Sequence, residues 1–155
     1  MKINVTSTIT RSTDSVRQRL TELKANPDPV LRMMAMGVLP EMRKRVHVEG
    51  KDAAGNRIGE YSTPYLKLRQ DKYNRTADPK VVLSLTRQME QDLTIVELNP
   101  GYAIGYINEA NFRKATWLEE KYKKEILTAL SEREQELATA VAEEYIDELL
   151  NNTTE

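Results

Sequence analysis

Seven apolar residues, Val30, Leu31, Met34, Val38, Leu39, Met42 and Val46, form a nearly continuous i, i+4 stripe. That spacing lines one face of an α-helix and has no counterpart in a strand, so it predicts a long core helix over 29–47 that must bury its stripe against a second element. Asp28 followed by Pro29 reads as an N-cap with proline at the first helical position, where a missing N–H costs nothing. Arg43, Lys44 and Arg45 gather at the far end, where they oppose the helix dipole. Pro40 removes one ladder hydrogen bond, which predicts a kink or break near Gly37 to Pro40. Met33, Met34 and Met36 read as flexible core filler.

The other elements follow from pattern. Ile3, Val5, Ser7 and Ile9 alternate, so residues 1–10 are expected to form a short strand or extended arm. Ser12, Thr13 and Asp14 offer N-cap chemistry to a helix marked by Val16, Leu20 and Leu23, which Asn26-Pro27-Asp28-Pro29 stops. Val81 to Leu85 reads as a strand or extended run, and Thr86 to Asp92 as one or two helical turns. Thr94–Leu98 and Tyr102–Ile107 flank Asn99-Pro100-Gly101, a turn signal that predicts an antiparallel hairpin near 94–107. Phe112, Ala115, Leu118, Tyr122 and Ile126, with Trp117 beside them, predict a helix over 109–129. Ser131 and Glu134 form a capping box, and Leu137, Val141, Tyr145, Leu149 and Leu150 give the last helix, 132–151, its stripe. With 155 residues, one core is expected. The fold class is α+β, a single domain over 1–155 whose small antiparallel sheet is packed by three or four amphipathic helices.

From Gly50 to Pro79 the periodicity vanishes. A loop of that length in a small domain is expected to be functional, and here to gain its shape from contact with another chain. Gly55-Asn56 marks a turn inside it, with a small hairpin around it. Its unusual content is Arg57, Tyr61, Tyr65, Lys67, Arg69, Lys72, Tyr73 and Arg75. Tyrosine and arginine are enriched at protein interfaces, and the same residues neutralise phosphates and stack on bases, so a partner protein is the first reading and nucleic acid the second. Charge favours the first. Residues 131–155 hold eight acidic residues against one basic, while residues 1–50 hold nine basic against five acidic. Opposed patches of this kind orient association, which makes Glu143, Glu144, Asp147 and Glu148 on the last helix the matching partner-binding candidates.

Several classes of chemistry have no raw material. There is no cysteine, hence no disulfide, thiolate nucleophile or sulfur ligand. His47 is the single histidine, so a two-histidine metal site cannot be built within one chain; it reads as a residue at a helix-to-loop boundary. Gly101 to Gly105 lacks the Lys-Ser/Thr of a phosphate cradle. No pair of carboxylates stands out as acid and base, so no enzyme, catalytic residue, cofactor or metal is expected, and a small enzyme working through paired carboxylates is the third reading. The longest uncharged apolar stretch, Met33 to Leu39, is too short to cross a membrane, and the first residues lack a secretory core, so the cytosol is the expected location.

The order of motifs resembles a known family. Gly59-Glu60-Tyr61-Ser62-Thr63-Pro64-Tyr65-Leu66-Lys67-Leu68-Arg69, then Pro79-Lys80-Val81-Val82-Leu83-Ser84-Leu85-Thr86-Arg87-Gln88-Met89, then a hairpin ending Gly105-Tyr106, resembles the tail-completion and neck (virion morphogenesis) proteins of long-tailed bacteriophages. Their pattern is a Tyr-Ser-x-x-Tyr-x-x-x-Arg loop, a Val-x-Leu-Thr-Gly-x-Met segment, two strands and a helical end. The resemblance spans residues 48–150 and departs from the pattern at Arg87, which stands where the pattern has glycine. It implies a ring-forming, non-enzymatic subunit at the head–tail junction that meets copies of itself and other neck or tail proteins. DNA would pass through the ring's lumen, and the protein would move from the host cytoplasm into the virion.

Overall fold

A computed structural model describes residues 16–99 and 101–152, so the expected arm at 1–10 and the cap at Ser12 to Asp14 lie outside the described residues. Residues 16–25 form helix α1, and α2 (Asp28–Arg43) carries the long apolar stripe. Val30, Val38 and Met42 are its buried members, and its main partner is α6 (Glu132–Asn151). Gly37 permits this pairing, since a Cβ there would stand 2.9 Å from Val141 Cγ2. Two details differ from expectation. The cap position is Pro27, so Asp28 lies in the first turn and its side chain makes no capping bond. Helix α2 also runs unbroken through Pro40, because Pro40 and Met36, whose carbonyl loses its partner, both face solvent.

The irregularity comes one turn later. Lys44–Glu49 winds as a π-helix, which turns three consecutive residues, Arg45, Val46 and His47, into the interior. Gly50 ends it with φ +65°, where a Cβ would collide with the Val81 carbonyl.

Residues 50–80 are not a structureless loop. They fold onto their own chain: Lys51 bridges to Arg57 around a turn, as the expected hairpin requires, Ile58 is fully buried, and Glu60 bridges to Lys80. Between these bridges lies α3 (Thr63–Tyr73), whose one buried residue is Arg69. A helix that buries a cation in place of an apolar stripe leaves no hydrophobic period, which is why its sequence reads as loop. Val81–Leu85 is irregular, with bends at Leu83 and Leu85, and forms no ladder with another strand.

Helix α4 (Gln88–Asp92) leads into the hairpin of β1 (Leu93–Glu97) and β2 (Tyr102–Tyr106), paired antiparallel from Leu93↔Tyr106 to Glu97↔Tyr102. Gly101, at φ +93°, supplies the turn. Helix α5 (Glu109–Tyr122) starts on Asn108, whose side chain accepts from the Ala110 N–H. It stops at Tyr122, seven residues before the expected end, because Lys123 turns left-handed (φ +52°). Glu119 then takes over, its Oε1 accepting from the N–H groups of Ile126 (2.8 Å), Leu127 (2.6 Å) and Thr128 (3.1 Å). The core-facing residues of α5 are Asn111 and Ala115, whereas Phe112, expected inside, is 58% exposed. The capping box of α6 forms as predicted. The result is an α+β fold with a two-stranded sheet, and among the described residues no helix is long and apolar enough to cross a membrane.

Arg87, at the cap of α4, has φ +63°. A left-handed side-chain-bearing residue is strained by ~1–2 kcal/mol, partly offset in a glycine by its freer unfolded chain. Arg87→Gly should therefore raise stability by about 0.5–1 kcal/mol, read as a higher urea midpoint at unchanged slope.

Candidate functional site

The irregular run after Val81 has no strand beside it, yet its carbonyls are satisfied one by one by side chains. Tyr61 donates its hydroxyl to Val82 O (2.5 Å) and accepts from Val82 N (3.1 Å). The ring of His47 meets Leu83 O through Nδ1 at 2.8 Å, so Nδ1 carries the proton. Arg69 donates to Ser84 O at 3.0 Å, and Arg75 to Leu85 O at 2.8 and 2.6 Å. Four successive carbonyls thus find four different donors, which replaces the ladder that a neighbouring strand would provide.

Arg69 is the centre of this arrangement. Its guanidinium lies 4.3 Å from the ring centre of Tyr61 and 5.9 Å from that of Tyr65, and the two tyrosines meet edge to face at 5.2 Å. It is 4% exposed, and among the described residues no carboxylate comes within ion-pair distance. Two π faces and a carbonyl hold the charge instead. Burial pushes the Tyr61 hydroxyl above its ordinary pKa, so it stays protonated and keeps donating.

This wall faces α5 across a cleft of about 870 Å³. Tyr61, Tyr65 and Arg69 line one side, together with Val81 to Thr86, and Lys114, Trp117, Lys121 and Tyr122 line the other. Lys121 Nζ stands 4.8 Å from the Trp117 ring and 5.3 Å from that of Tyr122. Gly59 is the close contact beneath Tyr122, where a Cβ would meet the ring at 2.6 Å. Glu60 is the lining carboxylate; it is exposed and paired with Arg57 at 3.5 Å. Two carboxylates in unlike environments therefore do not meet here, and among the described residues no group of three metal-ligating side chains forms.

Of the residues singled out in the sequence, Tyr61, Tyr65 and Arg69 are brought together in the cleft. Arg75 sits behind its wall. Lys67 and Lys72 are exposed outside it, Lys72 over Tyr73 at 5.5 Å, and Arg57 is held at the mouth by Glu60. Glu143, Glu144, Asp147 and Glu148 are all exposed on α6, none of them in the cleft. Sequence reasoning missed Lys114 and Lys121. Their signal was the spacing of 114, 117 and 121, which puts two lysines and a tryptophan on one helical face.

His47 stands at the expected helix-to-loop boundary, in the last turn of the π-helix before Gly50, but it is also buried, 4% exposed, and among the described residues its Nε2 has no partner. Burial lowers its pKa below the ordinary 6.5, opposed by the Leu83 carbonyl and Glu90 and assisted by Arg43. The unfolded chain therefore takes up the proton first. Stability is complete above about pH 6.5 and declines as pH falls through that value toward the folded pKa. The urea midpoint of the wild type should drop between about pH 7.5 and about pH 5.5 by more than that of His47→Gln, which has no proton to gain there.

Comparison with protein-family models, with curated proteins and with solved structures gives no match, so the site is read from its own geometry.

Proposed function

We propose that the chain is a non-enzymatic structural subunit of a phage head–tail connector or tail-completion ring, which assembles with copies of itself and with other neck or tail proteins. In this reading it is made in the host cytoplasm and ends in the virion, with DNA passing through the ring's lumen. The observation that carries it is the union of the two motifs behind the resemblance. Tyr61 and Arg69 of the first bind the carbonyls of Val82 and Ser84 in the second. Arg87, at the glycine position of the second, takes the left-handed backbone that glycine adopts freely. Spacing and backbone thus agree with the pattern even where the residue departs from it.

The mode of contact changes. Residues 50–80 are already folded on their own subunit, so partners would meet preformed surfaces and no ordering cost falls on binding. Large apolar side chains suited to such contact stand in the open, Ile107 at 76% and Trp117 at 56% exposure. The nucleic-acid reading loses two of its three arginines, since Arg69 and Arg75 are turned inward onto carbonyls while Arg57 stays exposed.

Sedimentation velocity across protein concentration and salt, alone and with neck or tail proteins added, tests the proposal. Oligomers that dissolve as salt rises are expected. A monomer under every condition, partners included, would remove it. Filter binding to DNA with a steep negative slope of log affinity against log salt would transfer the surface to nucleic acid.

A further inference from the structure

Resting on the assembly reading, we propose that the α5 wall of the cleft is the docking site for helix α6 of a second copy, with Lys114 and Lys121 facing its Glu143, Glu144, Asp147 and Glu148. Among the described residues neither patch has an ion-pair partner within its own subunit, Lys121 resting only over the Trp117 and Tyr122 rings. Among the described residues, neither lysine lies within ion-pair distance of a carboxylate, and none of the four carboxylates lies within that distance of a cation. All six side chains belong to exposed residues.

The dimensions agree. Lys114 and Lys121 are seven residues apart on one helical face, roughly 10 Å along the axis, and Glu143 to Glu148 spans roughly 7.5 Å, a difference that lysine side chains absorb. On α6 the carboxylates occupy positions 143, 144, 147 and 148, a single strip over two turns. Exposed Ala140 lies one turn before them, and its small side chain leaves a flat place for the Trp117 ring. The apolar stripe of α6 is taken up by α2 within the subunit, so its outer face offers mostly charge and calls for a cationic receiver.

A second copy fits this chemistry better than a foreign acidic ligand, because every subunit brings the complementary strip at equal stoichiometry. The chain is nearly neutral overall, at −1, with its acid concentrated in the last helix. Two unlike patches make a heterologous contact, which closes into a ring when the rotation allows.

The test uses two charge-reversed full-length variants, Lys114→Glu/Lys121→Glu and Glu144→Lys/Asp147→Lys, with circular dichroism to verify that each keeps the wild-type fold. Each alone should self-associate about a hundredfold more weakly, since like charges then oppose one another across the contact. Mixed one to one, they should regain association. The neutral variant Lys114→Gln/Lys121→Gln, should a reversed one misfold, is expected to lose about tenfold. Wild type that associates while the variants do so equally well, or a mixture that regains nothing, overturns the docking site and leaves the assembly reading standing. Wild type that stays monomeric in every condition, partners included, overturns both. Single-stranded DNA bound with a salt slope that the lysine variants abolish would give the cleft to nucleic acid, and the docking site would fall.

Discussion

Glu134→Ala is expected to destabilise the protein by roughly 3–5 kcal/mol, the cost of removing one partner of a buried ion pair and leaving the other charge without compensation. Glu134 is fully buried and receives Arg45 Nε at 2.6 Å, while its second oxygen accepts from Arg45 at 3.1 Å and from the Ser131 N–H at 2.8 Å. The same carboxylate therefore caps α6 and neutralises the π-helix. Arg45 reaches further, donating to the carbonyls of Ile126 (2.9 Å) and Lys51 (3.2 Å), so it ties three irregular segments to α6. For a chain of this size the loss corresponds to a fall in Tm of roughly 10 °C or more. Glu134→Gln, which keeps an acceptor but not the charge, should recover part of it. Replacing both partners by apolar residues should still fall short of wild type, because the Ile126 carbonyl would stay buried without a donor.

Arg69→Ala should cost roughly 2–4 kcal/mol, combining an unsatisfied buried carbonyl at Ser84 with the lost stacking on Tyr61. Arg69→Lys keeps the charge but not the planar fork, and should recover less than half. Trp117 is the single tryptophan and lines the same cleft, so its emission should shift in Arg69→Ala under conditions where the far-ultraviolet circular dichroism is unchanged. An unaltered urea midpoint in Arg69→Ala would mean that the carbonyl run is held by something other than these side chains.

Elements whose stripe is apolar were legible in the sequence. Helix α2 announces itself through Val30, Val38 and Met42, α6 through its capping box, and the hairpin through Asn99-Pro100-Gly101. What could not be read is where polar side chains do the work of apolar ones. Helix α3 buries Arg69, the π-helix buries Arg45 and His47, and residues 126–128 are held by a Glu119 carboxylate. No hydrophobic period marks such contacts, and they join residues distant in sequence, as Arg45 and Glu134 are. The Tyr/Arg content of 57–75 was visible and was assigned outward, to a partner. Three of its members, Tyr61, Arg69 and Arg75, turn inward to hold the chain's own carbonyls, while the lysines and tryptophan on α5 form the opposite wall.

Hydrogen exchange on the isolated protein, at a concentration where it is monomeric, bears most directly on whether residues 50–85 are shaped by their own subunit. The amides of Asp52, Ile58, Tyr61, Val81 and Val82 each have an acceptor within the chain and should exchange as slowly as those of α2. Exchange of these amides at the rate of an unstructured peptide, while α2 stays protected, would contradict that picture and return the segment to a loop awaiting its partner.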